Sequence, residues 1–282
     1  MAASTIDLHT HSTASDGSLP PAQVVAVAER QGVRVMALTD HDSLEGIPEA
    51  VERARATGIR ILPGVELSVS EEGMDVHLLA YGFDPSDTAL RSAIARYRAS
   101  RHERARKILA RLKGLGIRIP IEEVEEIAGG GALGRPHVAE ALMVGGYVET
   151  FHEAFQRYLG HHAPAYVAKQ TVALEEALEV VREAGGITAL AHPGTLNRDH
   201  WIAGWARRGL DGIEVWHSKH QPSDVERYRK IAQTHGLLMT GGSDFHGERT
   251  PDVSVGSVLV PESMLGPLDE ALRGRAGARA RS

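Results

Sequence analysis

Short apolar runs alternate with amphipathic stretches along the chain, regularly enough to name elements. Ile6–His9, Val35–Asp40, Arg60–Val69, Val76–Tyr81, Ile187–Ala191, Gly212–Trp216, Leu237–Thr240 and Val255–Val260 read as buried strands. Pro21–Gly32, Glu45–Gly58, Val172–Ala184, Arg198–Arg208, Ser223–His235 and Met264–Arg273 carry apolar residues at helical spacing, several with glycine stops. This rhythm predicts a parallel sheet covered by helices, closed into a barrel or left as an open doubly wound sheet. From about Pro85 to Ala168 the rhythm lapses. Thr88–Leu115, Ile121–Ile127, Pro136–Val144 and Thr150–Leu159 read as helices with few strand signals among them. The expectation is an α/β chain in which residues 1–84 and 169–282 build the barrel and residues 85–168 form a helical insert.

Composition narrows the picture. With 282 residues, 42% hydrophobic and 24% charged, the chain can bury a large core without disulfides. Cysteine is absent, which excludes thiolate metal sites and a cysteine nucleophile and fits a reducing cytoplasm. No apolar run approaches the roughly 18 residues that span a bilayer. The Met1–Asp7 stretch lacks the basic region and apolar core of a signal peptide, so a cytoplasmic protein is expected. A net charge of −6 is no nucleic-acid coat, so a stable complex with long nucleic acid is not expected. The tail Arg273–Ser282 reads as a frayed terminus, with phosphate contact as the alternative. Histidine is the outlier at fifteen residues, several beside aspartate or glutamate. Without cysteine, imidazole and carboxylate are the groups available to hold a metal.

These residues gather in short clusters, each expected at the C-terminal end of a strand. Asp7-Leu8-His9-Thr10-His11 is followed by Asp16-Gly17. His9 and His11 stand two apart, so a strand points both to one side, as a cation-gripping pair or as a satisfied pair at a strand end. Thr39-Asp40-His41-Asp42 ends the next apolar run. There His41 is a candidate ligand, Asp40 is expected to orient an imidazole or a water, and Asp42 or Ser43 could cap the following helix. Glu66 follows Ile61–Val65, where a carboxylate is costly unless it binds a metal or pairs with an arginine. Asp75-Val76-His77, Ala191-His192-Pro193-Gly194 and Gly242-Ser243-Asp244-Phe245-His246 complete the set. Nine residues result: His9, His11, Asp16, His41, Glu66, His77, His192, Asp244 and His246. In a barrel, strand-to-helix junctions converge on one rim. Nine ligands are too many for one tetrahedral ion and suit two or three bridged by carboxylates.

In this order, DLHTHS with SDG, TDHD, GVE, DVH, AHPG and GSDFH resemble the motifs of the polymerase-and-histidinol-phosphatase (PHP) family across nearly the whole chain. The resemblance implies a distorted (β/α)7 TIM-like barrel with a multinuclear metal centre. It implies that His9, His11, Glu66 and Asp244 hold one ion, and that Glu66 bridges to a second held by His77 and His192. Asp16, His41 and His246 would hold the third. Within the family the chain is similar to bacterial nucleoside 3′,5′-bisphosphate phosphatases, some of which are also 5′-to-3′ exonucleases on short RNA. The helical insert and Gly134-Arg135-Pro136-His137 carry that likeness, since the subgroup places an Arg-x-His there against substrate phosphate. Arg135 otherwise reads as a loop arginine before a helix-start proline.

The expected activity is metal-dependent hydrolysis of the 3′-phosphate of such nucleotides, or of short 5′-phosphorylated oligonucleotides, by a metal-bridging hydroxide. Manganese is the first choice, with zinc, iron or magnesium possible. Asp244, His246, Arg135 and His137 are the candidate catalytic residues. Histidinol-phosphate phosphatase is the alternative enzyme, and a non-catalytic metal-stabilised binding module the alternative from another class. The Gly129–Gly134 stretch lacks the Gly-Lys-Ser/Thr of a P-loop and suits a mobile approach to Arg135. Nine basic residues on Arg91–Lys113 read as a solvated face or as an anion-steering one. His161, His162, His217 and His220 are expected on the surface or around the site, His217 nearest to it.

Overall fold

Strands buried on both faces need a cover outside and a filled interior, which a ring of helices around a barrel supplies. The structure, a computed structural model, describes residues 5–168 and 172–279. One sheet holds seven strands in chain order: β1 (Ile6–Thr10), β2 (Val35–Leu38), β3 (Arg60–Glu71), β4 (Met74–Tyr81), β5 (Ile187–Leu190), β6 (Gly212–His217) and β7 (Leu238–Gly242). The backbone beyond β7 runs beside β1: Asp244 N–H donates to the His9 carbonyl (2.8 Å) and His11 N–H to that of Phe245 (2.9 Å). Gly242 leaves no room for a Cβ against His9, so the two segments meet only because the residue is glycine. The result is a nearly closed, distorted (β/α)7 TIM-like barrel.

The expectation of an all-parallel sheet needs correction. β4 runs antiparallel to both β3 and β5, while the other neighbouring pairs are parallel. Glu71 pairs with Met74, leaving only Glu72 and Gly73 between β3 and β4, both at positive φ (49° and 78°). A two-residue loop with both φ positive matches strand twist in a hairpin, whereas a parallel return needs about a dozen residues. The eighth strand expected at Val255–Val260 is absent. Gly256 sits at φ 73°, Ser257 N–H turns back onto the Ser254 carbonyl, and the segment joins no ladder. Val255 and Val260 are nonetheless buried, so the apolar signal there reports packing.

The helices are α1 (Pro21–Arg30), α2 (Ile47–Ala54), α3 (Thr88–Gly114), α4 (Ile121–Ala128), α5 (Arg135–Val144), α6 (Phe151–Ala154), α7 (Leu174–Glu183), α8 (Pro193–Leu196), α9 (Asp199–Arg208), α10 (Pro222–His235) and α11 (Leu265–Arg279). Thr88–Leu115 is one helix as expected, started by Asp87, whose carboxylate accepts from Leu90 N–H. Thr150–Leu159 divides into α6 and a π-helical turn, Phe155–Leu159. Leu90, Ala93, Ile94 and Tyr97 of α3 pack into the apolar cluster around β3, β4 and α7. Ala105, Ile108, Leu109 and Leu112 pack instead into a separate cluster with α4 and α5. α3 thus leaves one core and enters another halfway along.

The tail is not frayed where it is described. α11 continues to Arg279, which donates to the carboxylates of Asp84 and Asp87, and Arg275 pairs with Asp211. Its last three residues, and the Met1–Ser4 part of the amino-terminal stretch, lie outside the described residues. Among the described residues no helix is long and apolar enough to cross a membrane.

Leu78→Ala on β4 removes a fully buried side chain, and a loss of about 3 kcal/mol in urea unfolding is expected. Arg279→Ala breaks half-exposed ion pairs and is expected to cost less than about 1 kcal/mol. Equal losses from both would contradict this account of where the core lies.

Candidate metal centre

The centre is arranged around one carboxylate. Glu66, on β3, is 1% exposed. Its Oε2 lies 3.2 Å from His9 Nε2, His11 Nε2 and His41 Nδ1; its Oε1 lies 2.8 Å from His77 Nδ1 and 3.0 Å from His192 Nε2. Its partners are five imidazoles rather than the arginine of an ordinary buried salt bridge.

Each strand delivers its part for a local reason. β1 points His9 and His11 to one side, with ring centroids 5.2 Å apart. Asp40 was expected to orient an imidazole or a water. Its carboxylate instead accepts from Ser12 N–H, Ser12 Oγ and Ser15 Oγ, all at 2.7 Å, and so folds the loop that carries Asp16. Asp42 is no helix cap either, because α2 begins five residues later. Held at φ 47°, it accepts from Ser68 N–H (2.8 Å) and pairs with Arg101. His77 stands near the start of β4 rather than at a strand's C-terminal end. Antiparallel β4 begins at the rim where the parallel strands finish, and His77 faces Ser68 in register, on the same side as Glu66. His192 and Asp244 sit in the left-handed region, at φ 31° and 58°. Such strain in non-glycine residues marks positions that the surroundings over-determine. Asp244 Oδ1 lies 3.4 Å from both His9 Nε2 and His11 Nε2, and Asp16 Oδ1 lies 3.3 Å from His246 Nε2.

Among the residues singled out in the sequence, three overlapping sets bring ligand atoms within 4.8 Å of one another: His9, His11, Glu66 and Asp244; His41, Glu66 and His77; and His11, Asp16, His41 and His246. With His192 against Glu66, all nine residues singled out in the sequence therefore converge. Both ring nitrogens of His11 and Nδ1 of His41 are buried and meet carboxylate oxygens at 3.2–3.8 Å without hydrogen-bond alignment, as expected of nitrogens that share a cation with those oxygens. A site of imidazole and carboxylate donors so arranged fits divalent metal ions. Without them, protons take the same place. Burial pulls the His11 imidazole down, but Asp244 and Glu66 outweigh it and push it up to about 10. Burial likewise acts to raise Glu66, yet the surrounding histidines hold it well below the usual carboxylate range.

Comparison with known proteins agrees with this geometry. The description of the PHP domain matches residues 7–184. The chain belongs to the PHP family. It is 36% identical over 264 residues to the 3′,5′-nucleoside bisphosphate phosphatase of Chromobacterium violaceum, covering 91% of this chain and 93% of that one. It is 34% identical over 260 residues to the 5′-3′ exoribonuclease Rnm of Salmonella typhimurium, covering 90% and 88%. A solved structure from Bifidobacterium adolescentis, provisionally a metal-dependent phosphoesterase, superposes with a TM-score of 0.87 at 32% identity, covering 94% of this chain and 96% of that one. As a PHP enzyme the protein is a hydrolase acting on phosphoric ester bonds.

The PHP centre opens on one side. His77 and His192 side chains are 23% and 18% exposed, against 0–1% for His9, His11 and Glu66. Beside them lies a cavity of about 140 Å³ lined by Asp16, His41, His77, Arg101, Arg104 and Arg135. Arg135 and His77 also line a second, of about 170 Å³, with Tyr166 and His192. Arg135 lies against the rings of Phe155 and Tyr166, and Asp75 is shared between Arg104 (3.2 Å) and Arg135 (3.8 Å). Arg101 and Arg104 were not separable in the sequence from the other basic residues of α3. Their side chains are about one-tenth exposed, so the solvated-face reading fails for these two.

His137 is buried at the start of α5, its Nδ1 accepting from Gly134 N–H (3.0 Å). Burial holds its pKa down to about 4, so the ring is neutral at pH 7. Arg249, also missed in the sequence, donates to the Asp16 carbonyl and reaches within 3.4 Å of His137 Nε2. His217 Nε2 lies 3.3 Å from Asp244 Oδ2, and His220 holds the His192 loop by accepting from Gly194 N–H. His161 and His162 are both exposed, His161 packing on Tyr166 at the edge of the second cavity.

Because protons and cations compete for these ligands, metal uptake at pH 7 is expected to release protons and to weaken as pH falls. Calorimetric titration of the metal-free protein in two buffers of different ionisation enthalpy checks this. Buffer-independent heats would count against it.

Proposed function

We propose that this enzyme removes the 3′-phosphate from nucleoside 3′,5′-bisphosphates and also cleaves short 5′-phosphorylated oligonucleotides. The observation that carries the reading is the cavity of three arginines beside the most open part of the metal centre. A second phosphate needs a cationic seat separate from the reacting one, and planar guanidinium groups fit its oxygens. The activities of the Chromobacterium and Salmonella relatives support the same reading. In it, residues 1–84 and 169–282 form the barrel that carries the metals, and the insert 85–168 adds phosphate contacts. We place the activity in the cytoplasm, where such nucleotides and RNA fragments arise.

The ions are proposed to be two or three, manganese first, with zinc, iron or magnesium as alternatives. His9, His11, Glu66 and Asp244 would hold one, Glu66, His77 and His192 a second, and Asp16, His41 and His246 a third. Bound there, they would supply Lewis acidity, making a water acidic enough to ionise near neutral pH and drawing charge from the phosphoryl group. The protein's own groups do the rest. Arg135, held beside the rings of Phe155 and Tyr166, grips phosphate oxygens and offsets the charge that spreads in the transition state. Arg104, tethered with it to Asp75, carries the seat for the second phosphate. His137, neutral at pH 7 and beside Arg249, is proposed to assist phosphate binding rather than to protonate the leaving oxygen. The deeply buried ligands keep bulk water from the carboxylates that the cations need.

Protein reconstituted with Mn²⁺ is expected to release phosphate from adenosine 3′,5′-bisphosphate. Turnover of histidinol phosphate instead would replace this reading with the alternative phosphatase. Arg135→Ala is expected to lower kcat/KM by about 100-fold, and Asp244→Asn to lower kcat by at least about 100-fold. An Asp244→Asn protein that keeps both turnover and affinity would sink the assignment.

A further inference from the structure

A second buried carboxylate stands behind the centre. Glu214 lies on β6, in the run Gly212-Ile-Glu-Val-Trp216, and is 0% exposed. The β6–β7 register shifts between Glu214 and Trp216, an irregularity of the kind that re-aims a side chain. Both carboxylate oxygens have partners: Oε1 accepts from His9 Nδ1 (2.9 Å) and Oε2 from the backbone N–H of His192 (2.7 Å). The far nitrogens of these same two rings face Glu66, His9 Nε2 toward Oε2 and His192 Nε2 toward Oε1. The two imidazoles lie nearly parallel, 22° between planes and 5.9 Å between centroids. Glu214 and Glu66 therefore hold the His9 ring from opposite sides, while at His192 Glu214 holds the backbone, Glu66 meets ring Nε2 and Thr195 Oγ1 meets ring Nδ1 (3.1 Å).

We propose that Glu214 is a positioning residue that braces His9 and His192 against Glu66, and so sets the spacing between the two cations that Glu66 is proposed to share. The proposal rests on the reading of this centre as a metal site. An acceptor at Nδ1 fixes the His9 proton there and leaves the Nε2 lone pair free for a cation. At His192 the carboxylate acts on backbone: the residue sits at φ 31°, and the bond to its N–H holds that strained conformation so the ring reaches Glu66. One side chain thus governs a ligand of each ion. A competing role exists, because ligand atoms of His9, Glu214 and His217 also lie within 4.8 Å of one another and could hold an ion themselves. The structure favours the brace, since His9 Nδ1 and both Glu214 oxygens are already engaged in short hydrogen bonds.

The first measurement uses the unaltered protein loaded with Zn²⁺. Long-range nitrogen–proton correlation should place the His9 proton on Nδ1. A proton on Nε2 would overturn the brace. If the wild-type chain took up no Zn²⁺ at all, the metal reading would fall and the brace with it. The second uses Glu214→Gln, which keeps the shape but offers one acceptor in place of two. Its Mn²⁺ affinity should fall about 10–100-fold by calorimetry, with the exchange-coupled signal of paired Mn²⁺ lost from electron paramagnetic resonance. Glu214→Asp should recover part of both. Unchanged affinity and coupling in the glutamine variant would overturn the proposal. So would loss of one whole equivalent of metal with the rest bound as before, which would make Glu214 a ligand.

Discussion

A carboxylate in the middle of a barrel cannot be left alone, and Glu66 sets the terms for everything around it. Burying an unpaired charge costs several kcal/mol, so the fold must bring positive charge or cations to it from every side. The imidazoles that answer come from β1, the turn after β2, β4 and the segment after β5. Holding them there is the work of further buried carboxylates. Asp7 accepts from Ser243 and Gly256 N–H, Asp40 from Ser12 and Asp42 from Ser68. These aspartates tie down loops rather than facing solvent, which explains why polar residues crowd the strand ends of an otherwise apolar barrel.

A second charge regime lies a few residues away and works oppositely. Arg101 and Arg104 stand where α3 passes from the barrel's core to the core of the helical segment. At that crossing neither core covers the helix, so a guanidinium can sit largely buried yet face a cavity. Asp42 and Asp75 partly neutralise these arginines and aim them, without quenching the cavity's positive character. The acidic, imidazole-rich centre and this basic cavity share His41 and His77 as a common wall.

Much of this was legible in the sequence, for identifiable reasons. His9 and His11 declare themselves because strand periodicity is local, and Glu66 because a carboxylate after Ile61–Val65 breaks an apolar run. The direction of β4 was misread: a parallel sheet was expected although only six residues separate Arg60–Val69 from Val76–Tyr81, too few for a parallel return. Val255–Val260 misled because burial and hydrogen-bonded pairing are different properties with one apolar signature. Glu214 was missed although it breaks an apolar run as Glu66 does. Its partners come from segments 22 and 205 residues away in sequence. Arg101 and Arg104 could not be picked out because the change of packing face along α3 is a tertiary fact.

The tight turn at Glu72 and Gly73 has a consequence for how the molecule comes into being. The β3–β4 hairpin joins Glu66 to His77 across only eleven positions, and hairpins of this kind close in about 1–10 μs. His9 and Asp244 meet across most of the chain's length and must wait for slow, long-range closure. The nascent chain can therefore form the bridging carboxylate and one imidazole as a local unit, before the barrel exists. On this order of events the site matures from one hairpin outward, and the last contact made is the seam between the two ends of the sheet.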